Sequence, residues 1–286
     1  MKVQKNWRIK DLLEWTTRYF SDQGMQESRL EAEILLAYVL EKNRVYLYAN
    51  YEEPVNKVER DTFRGYIKRR SGGEPLAYIT GQREFMSLSF RVNSDVLIPR
   101  PDTEVLVETA LALVRAEGIK RICDVGTGSG AIAVSLAVYL NEVEVYALDL
   151  SPAALKIARE NAKIHEVMVQ FRDGDLLEPL VNEEKMDMIV ANLPYITFDQ
   201  LEELETGVKD YEPRIALVAS GDGLDLYRRL LPQAYQLLRP GGYILLEIDP
   251  RQAEAAKVMM MQSFSELEII PDWAGRDRLL KARRNY

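Results

Sequence analysis

The chain has 286 residues, 47% of them hydrophobic and 29% charged, which fits a globular protein with a full core and room for two domains. A single cysteine, Cys123, excludes an intrachain disulfide and a thiolate metal cluster, and the longest apolar stretch, residues 131–140, is too short to span a bilayer. The net charge of −8 lies beyond residue 75, where the balance is about −10 against about +2 before it; the larger part therefore repels phosphate backbones and speaks against a long nucleic-acid footprint.

No apolar segment follows Met1-Lys2, so no secretory signal is expected and the cytoplasm is the simplest location. Ile9, Leu12, Leu13, Thr16 and Phe20 recur at helical spacing, with Gly24 as the stop. Leu30, Ile34, Leu35, Tyr38 and Val39 repeat the pattern, and a third helix is expected from about Pro54, where proline suits a first turn, to Arg70. Ser71-Gly72-Gly73 breaks it. Residues 1–73 thus read as a small helical bundle. Alternation over residues 84–92 predicts a β-hairpin, with residues 74–95 linking two domains.

Beyond Ile98-Pro99-Arg100-Pro101-Asp102 the rhythm becomes strand, helix, strand, helix. Strands are expected at residues 121–125, 143–148, 168–172, 186–190, 243–247 and 267–270, with a last one near Leu279. One helix follows Gly130, one opens at Ser151-Pro152 as N-cap and first turn, and one covers about 224–238 before Pro240-Gly241-Gly242. This alternation predicts an α/β domain over residues 96–286 with a parallel, doubly wound sheet.

The first of these strands runs into Gly126-Thr127-Gly128-Ser129-Gly130, glycines where the chain turns sharply and lies against a ligand. Gly126, Gly128 and Ala131 also satisfy a dinucleotide fingerprint, so a nicotinamide cofactor is a candidate. Asp149 ends the second strand, where an acid can hold both ribose hydroxyls of either ligand type. Downstream residues separate the two. Asp175 and Leu176 follow the third strand, where a carboxylate can accept from an adenine amino group; Asp173 is the other candidate. Asn192-Leu193-Pro194-Tyr195 ends the fourth, at the edge where open α/β sheets bind ligands. An asparagine carbonyl and a main-chain carbonyl can each accept one N–H of a planar NH2 group, and a tyrosine ring can cover its flat face. A hydride-transfer site has no use for that set, which favours a methyl donor, S-adenosyl-L-methionine.

With these residues in view, the sequence resembles the release-factor glutamine methyltransferases, the HemK or PrmC family. The likeness runs through residues 73–81, Phe85, residues 97–104 and 124–130, the Asn192 set, Tyr211-Glu212-Pro213-Arg214, Asp222-Gly223-Leu224-Asp225 and Gly275-Arg276-Asp277-Arg278. It implies a class I, Rossmann-like seven-stranded methyltransferase domain behind a helical domain that recognises the release factor. The acceptor would be the glutamine amide of a Gly-Gly-Gln loop in class I peptide chain release factors, with Arg100 beside it. Apart from the resemblance, the expectation is of no metal, no stable nucleic acid, no membrane and a monomer. One departure concerns Leu193, where the family has proline. Asn-Leu-Pro-Tyr is similar to the ribosomal-RNA adenine dimethylases, so N6-adenine methylation of RNA or DNA is the alternative. In both families that position contributes its main-chain carbonyl, which leucine also supplies.

Other residues carry plainer readings. Asn192 could cap a turn before proline. Pro101-Asp102-Thr103-Glu104 reads equally as a helix start, Lys68-Arg69-Arg70 as a solvated helix end, His165 as structural, and Cys123 as a small core residue. A non-catalytic module that binds the donor or another nucleotide is a further reading, set against the intact Asn192 group.

Overall fold

The computed structural model describes residues 7–285. They form two compact units that divide after Gly81. Among the described residues no helix is long and apolar enough to cross a membrane.

The first unit is helical: Ile9–Asp22, Ser28–Val39, Arg44–Ala49, Lys57–Ser71 and Leu76–Thr80. The first stripe named from the sequence faces inward, with Leu13 and Phe20 fully buried. The second is corrected: of its residues only Leu35 is buried and Tyr38 is 42% exposed, the inward face being completed by Ala32 and Leu36, and Leu47 and Phe63 are fully buried beside them. Two further expectations are corrected. The long third helix opens at Lys57, not Pro54, because Asn56 and Glu59 form a reciprocal capping box, while Pro54 makes a β-bridge with Arg8. Arg44–Ala49 is a six-residue helix capped by Asn43, too short to show a period.

Glu33 sits buried in this unit, accepting from Arg29 at 2.6 Å, from Arg44 at 2.8 Å and from the Tyr48 hydroxyl. Burial alone would raise the carboxyl, but the three donors win and hold it below the usual range. Its contribution to stability is therefore present above the unfolded value, about 4.3, and is lost as pH falls through the lowered folded value. Glu33→Ala is expected to cost about 1–3 kcal/mol and to remove that acid-sensitive part, measured as urea midpoints across pH.

The second unit opens with a hairpin, β1 (Gln82–Phe85) and β2 (Leu88–Arg91). Phe85 and Phe90 meet edge to face at 6.1 Å beneath the helix Glu104–Glu117. The hairpin is also tied to the helix Pro152–Ile164: buried Asn161 accepts from the Arg91 amide at 2.7 Å and donates to its carbonyl at 3.0 Å. His165, at that helix's end, contacts the Ser89 carbonyl at 2.9 Å and packs on Phe90, a structural role.

Seven strands then form one sheet: β3 (Arg121–Val125), β4 (Glu144–Asp149), β5 (Gln170–Asp173), β6 (Met186–Ala191), β7 (Leu238–Glu247), β8 (Phe264–Pro271) and β9 (Asp277–Arg284). Their order is β5-β4-β3-β6-β7-β9-β8, parallel except for β9, which runs antiparallel to both neighbours. Helices cover the apolar strands on both faces, as a parallel sheet requires. β7 starts five residues before the expected strand. The Pro240-Gly241-Gly242 stretch is a bulge inside it rather than a stop, with Gly241 at φ +72° and Leu238 pairing with Met186. The chain leaves β3 toward β4 and β5, then returns to β6 on β3's other side. That switch point, with Val125 opposite Ala191, is where doubly wound sheets place their ligands.

Candidate functional site

Both motifs singled out from the sequence emerge side by side at the switch point. After β3 the amides of Gly126 and Thr127 donate to the Leu148 carbonyl at 2.8 Å each, and Gly130 donates to the Thr127 carbonyl at 2.8 Å. Gly126, at φ +74°, leaves room for a neighbour: a Cβ there would stand 2.7 Å from the Leu193 side chain. Gly130 allows close packing on Ala158. The loop is braced from below by Asp124, which accepts from the Thr127 hydroxyl at 2.7 Å and the Ala133 amide at 3.2 Å. Full burial pushes the Asp124 carboxyl up to about 7.

Gly128 donates to Asp149 Oδ2 at 2.8 Å, and Ser151 donates to Oδ1 at 2.8 Å. Burial raises the Asp149 carboxyl despite these two amides. Beyond β5, Asp175 pairs with Arg229, and Leu176 takes φ +50°. After β6 the Asn192 Nδ2 donates to Thr103 Oγ1 at 3.1 Å. The Leu193 amide, which a proline would lack, donates to the Tyr227 hydroxyl at 3.3 Å, and that hydroxyl in turn donates to the Glu247 carbonyl. Tyr195 donates to Glu247 Oε1 at 3.4 Å, while its own carbonyl accepts from Gln252 Nε2 at 3.0 Å. Burial, then the Glu247 carboxylate, pushes the Tyr195 phenol up.

Two cavities meet here. The first, about 280 Å³, is walled by Gly126, Gly128, Asp149, Asp175 and Leu176. The second, about 370 Å³, is walled by Arg100, Tyr195, Ile196, Glu205 and Glu247. Asn192, Leu193 and Pro194 line both. Of the expected loop residues, Thr127, Ser129 and Gly130 lie off the cavity wall and shape the loop; the Ser129 carbonyl accepts from Asn161 Nδ2 at 2.8 Å. Asp175 lines the first cavity and Asp173 does not.

The remaining sequence motifs pair off around the second cavity. Arg100 forms an ion pair with buried Glu212, which also accepts from the Ile98 amide at 3.0 Å. Asp102 takes Arg276 at 3.1 Å and Arg278 at 3.2 Å. The Asp222 carbonyl shares Gln252 Nε2 with the Tyr195 carbonyl. Sequence reasoning passed over Thr103, Tyr227, Glu247 and Gln252. Glu247 alone left a signal, an acid ending the apolar run Tyr243 to Leu246.

Residues 11–81 match the model of the PrmC N-terminal domain, and residues 117–281 match a methyltransferase domain. Curated relatives named release factor glutamine methyltransferase include those of Moorella thermoacetica, 45% identical with 96% of this chain and 98% of that one covered, and of Geobacter sulfurreducens, 42% identical with 97% of each. The chain belongs to the release factor glutamine methyltransferases. For this family member the solved structures extend the fold alone. A T. thermophilus 16S rRNA N2 G1207 methyltransferase, in complex with AdoMet and guanosine, superposes with TM-score 0.54 at 19% identity, covering 71% of this chain and 50% of that one. A Pyrococcus furiosus methyltransferase gives 0.51 at 16% identity, covering 78% and 98%.

Proposed function

We propose that the protein transfers a methyl group from S-adenosyl-L-methionine to the side-chain amide nitrogen of the glutamine in the Gly-Gly-Gln motif of class I peptide chain release factors. The observation that carries this reading is the tripeptide Asn192-Leu193-Pro194, wall to two cavities at once, one suited to donor and one to acceptor. The donor fits the first cavity. A half-buried carboxylate lines it at Asp149, and Gly128 on its wall has nothing within 4 Å of where a Cβ would sit. There the loop of residues 126–130 would lie along the donor, Asp149 would take the ribose hydroxyls, and Asp175, beside Leu176, the adenine amino group.

Bound there, the donor supplies an electrophilic sulfonium methyl. The amide acceptor is a poor nucleophile, because its lone pair is held in the resonance that also gives peptide bonds a rotation barrier of about 18–20 kcal/mol. Two neutral hydrogen bonds of about 0.5–1.5 kcal/mol each do not undo that, whereas in-line positioning is worth roughly 7–11 kcal/mol. Asn192 Oδ1 and the Leu193 carbonyl take the two amide hydrogens and gain strength as the nitrogen becomes positive. Tyr195 covers the amide plane, its hydroxyl held by Glu247, and Arg100 borders the same cavity. The proton leaves to water after transfer.

The first unit is proposed to recognise the release factor, the hairpin region to join it to the catalytic unit, and the protein to act as a cytoplasmic monomer without stable nucleic-acid contact. Incubation with labelled donor and either release factor or ribosomal RNA tests the reading. Label is expected on the release-factor glutamine, located by mass spectrometry, and label on adenine instead would overturn it. Asp149→Ala is expected to raise the dissociation constant of S-adenosylhomocysteine roughly 10–150-fold, the loss of a charge-assisted hydrogen bond worth about 1.5–3 kcal/mol, measured by calorimetry.

A further inference from the structure

A carboxamide has two ends of similar size and opposite character, and only the oxygen of Asn192 can accept an acceptor's N–H. Something must decide which end faces the cavity. In the structure Nδ2 is spent on Thr103 Oγ1 at 3.1 Å, which turns Oδ1 to the other side. Thr103 is buried at the end of the short turn Pro101–Thr103, and its hydroxyl is among the groups that lower the Glu247 carboxyl. Glu247 is 2% exposed at the end of β7, lines the second cavity, accepts from Tyr195, and has no partner for Oε2 among the described residues.

We propose that Thr103 and Glu247 are positioning residues that fix the orientation of the Asn192 carboxamide, keeping its oxygen toward the acceptor. This deepens the glutamine-methylation reading and rests on it. The direction follows from donor counting. An ionised carboxylate only accepts, so the single Thr103 proton goes to Glu247, and the Thr103 lone pair is left to accept Asn192 Nδ2. A protonated Glu247 can instead donate to Thr103, freeing the threonine proton for Asn192 Oδ1 and favouring the flipped, unproductive amide. The same carboxylate holds the Tyr195 hydroxyl, so one buried charge orients both side chains proposed to grip the substrate.

The groups facing Glu247 set the pH at which this changes. Burial pushes its carboxyl up to about 7, against the Thr103 hydrogen bond and the Arg278 charge, with Asp102 raising it and Tyr195 lowering it. Tyr227 approaches only its carbonyl, and Arg278 is shared with Asp102 and Asp272. Since the productive state is the ionised one and the value is raised, activity should climb as pH rises through the neutral range and fall away below it.

The test combines kinetics with a readout that needs no release factor. Thr103→Val keeps shape and removes the hydroxyl; kcat is expected to fall about tenfold, the loss of one orienting hydrogen bond, with donor affinity unchanged. Thr103→Ser should restore it. Glu247→Gln should abolish the acidic limb of the kcat–pH profile. In 15N-labelled protein with S-adenosylhomocysteine, the Asn192 side-chain amide signal should move as pH crosses neutrality in the wild type and stay fixed in Glu247→Gln. Wild-type kcat in Thr103→Val, or an acidic limb that survives Glu247→Gln, would overturn the proposal. A signal that moves as expected in a protein unable to methylate release factor would support the network and sink the substrate reading instead.

Discussion

Asn192→Ala is expected to lower kcat roughly 10²–10³-fold, by analogy with removing one preorganised partner of a developing charge, while the affinity for S-adenosylhomocysteine changes little. The effect is large because the lost acceptor acts where charge appears, on the nitrogen as it takes the methyl, and because its Nδ2 also leaves Thr103 without a donor. Donor affinity is spared because the first cavity keeps Gly126, Gly128 and Asp149 on its wall. Steady-state rates on release factor, with calorimetry for the donor product, separate the two. Near-normal turnover would remove Asn192 from the mechanism.

Gly223→Ala is the second large effect, and it acts from a residue that itself lines neither cavity. Gly223 has φ +85°, and a Cβ there would stand 2.1 Å from Gln252 Nε2 and 2.3 Å from the Tyr195 carbonyl oxygen. The side chain of Gln252 spans the Tyr195 and Asp222 carbonyls, so the methyl group falls on the tie that fixes the Asn192 segment. Left-handed strain and overpacking each cost of order 1–3 kcal/mol. The melting temperature should therefore drop by at least about 5 °C, with activity lost beyond what instability explains. Gly118→Ala is the control. Its φ is +63°, but nothing lies within 4 Å of the added atom, so it carries the backbone strain alone.

Much of this architecture could be read from local pattern. Apolar runs located the strands to within a few residues, and Ser151-Pro152 announced its helix, with the serine accepting from Ala154. The glycine loop and the Asn192 segment were found because their chemistry is local. What escaped depends on distance along the chain. Thr103 lies 89 residues from Asn192, and Gln252 lies 57 from Tyr195; no spacing rule joins them. The Pro240-Gly241-Gly242 bulge was missed because turn residues inside a strand look like its end. Glu33 sits on a helix face whose pattern gives no reason to bury an acid.

The shared tripeptide between the cavities carries a thermodynamic consequence. Any displacement of Asn192-Leu193-Pro194 by an occupant on one side is transmitted to the other, and binding linkage is reciprocal. If release factor strengthens retention of the methyl donor by some factor, the donor must strengthen retention of release factor equally. Once the methyl has crossed, the same partition would couple departure of the two products.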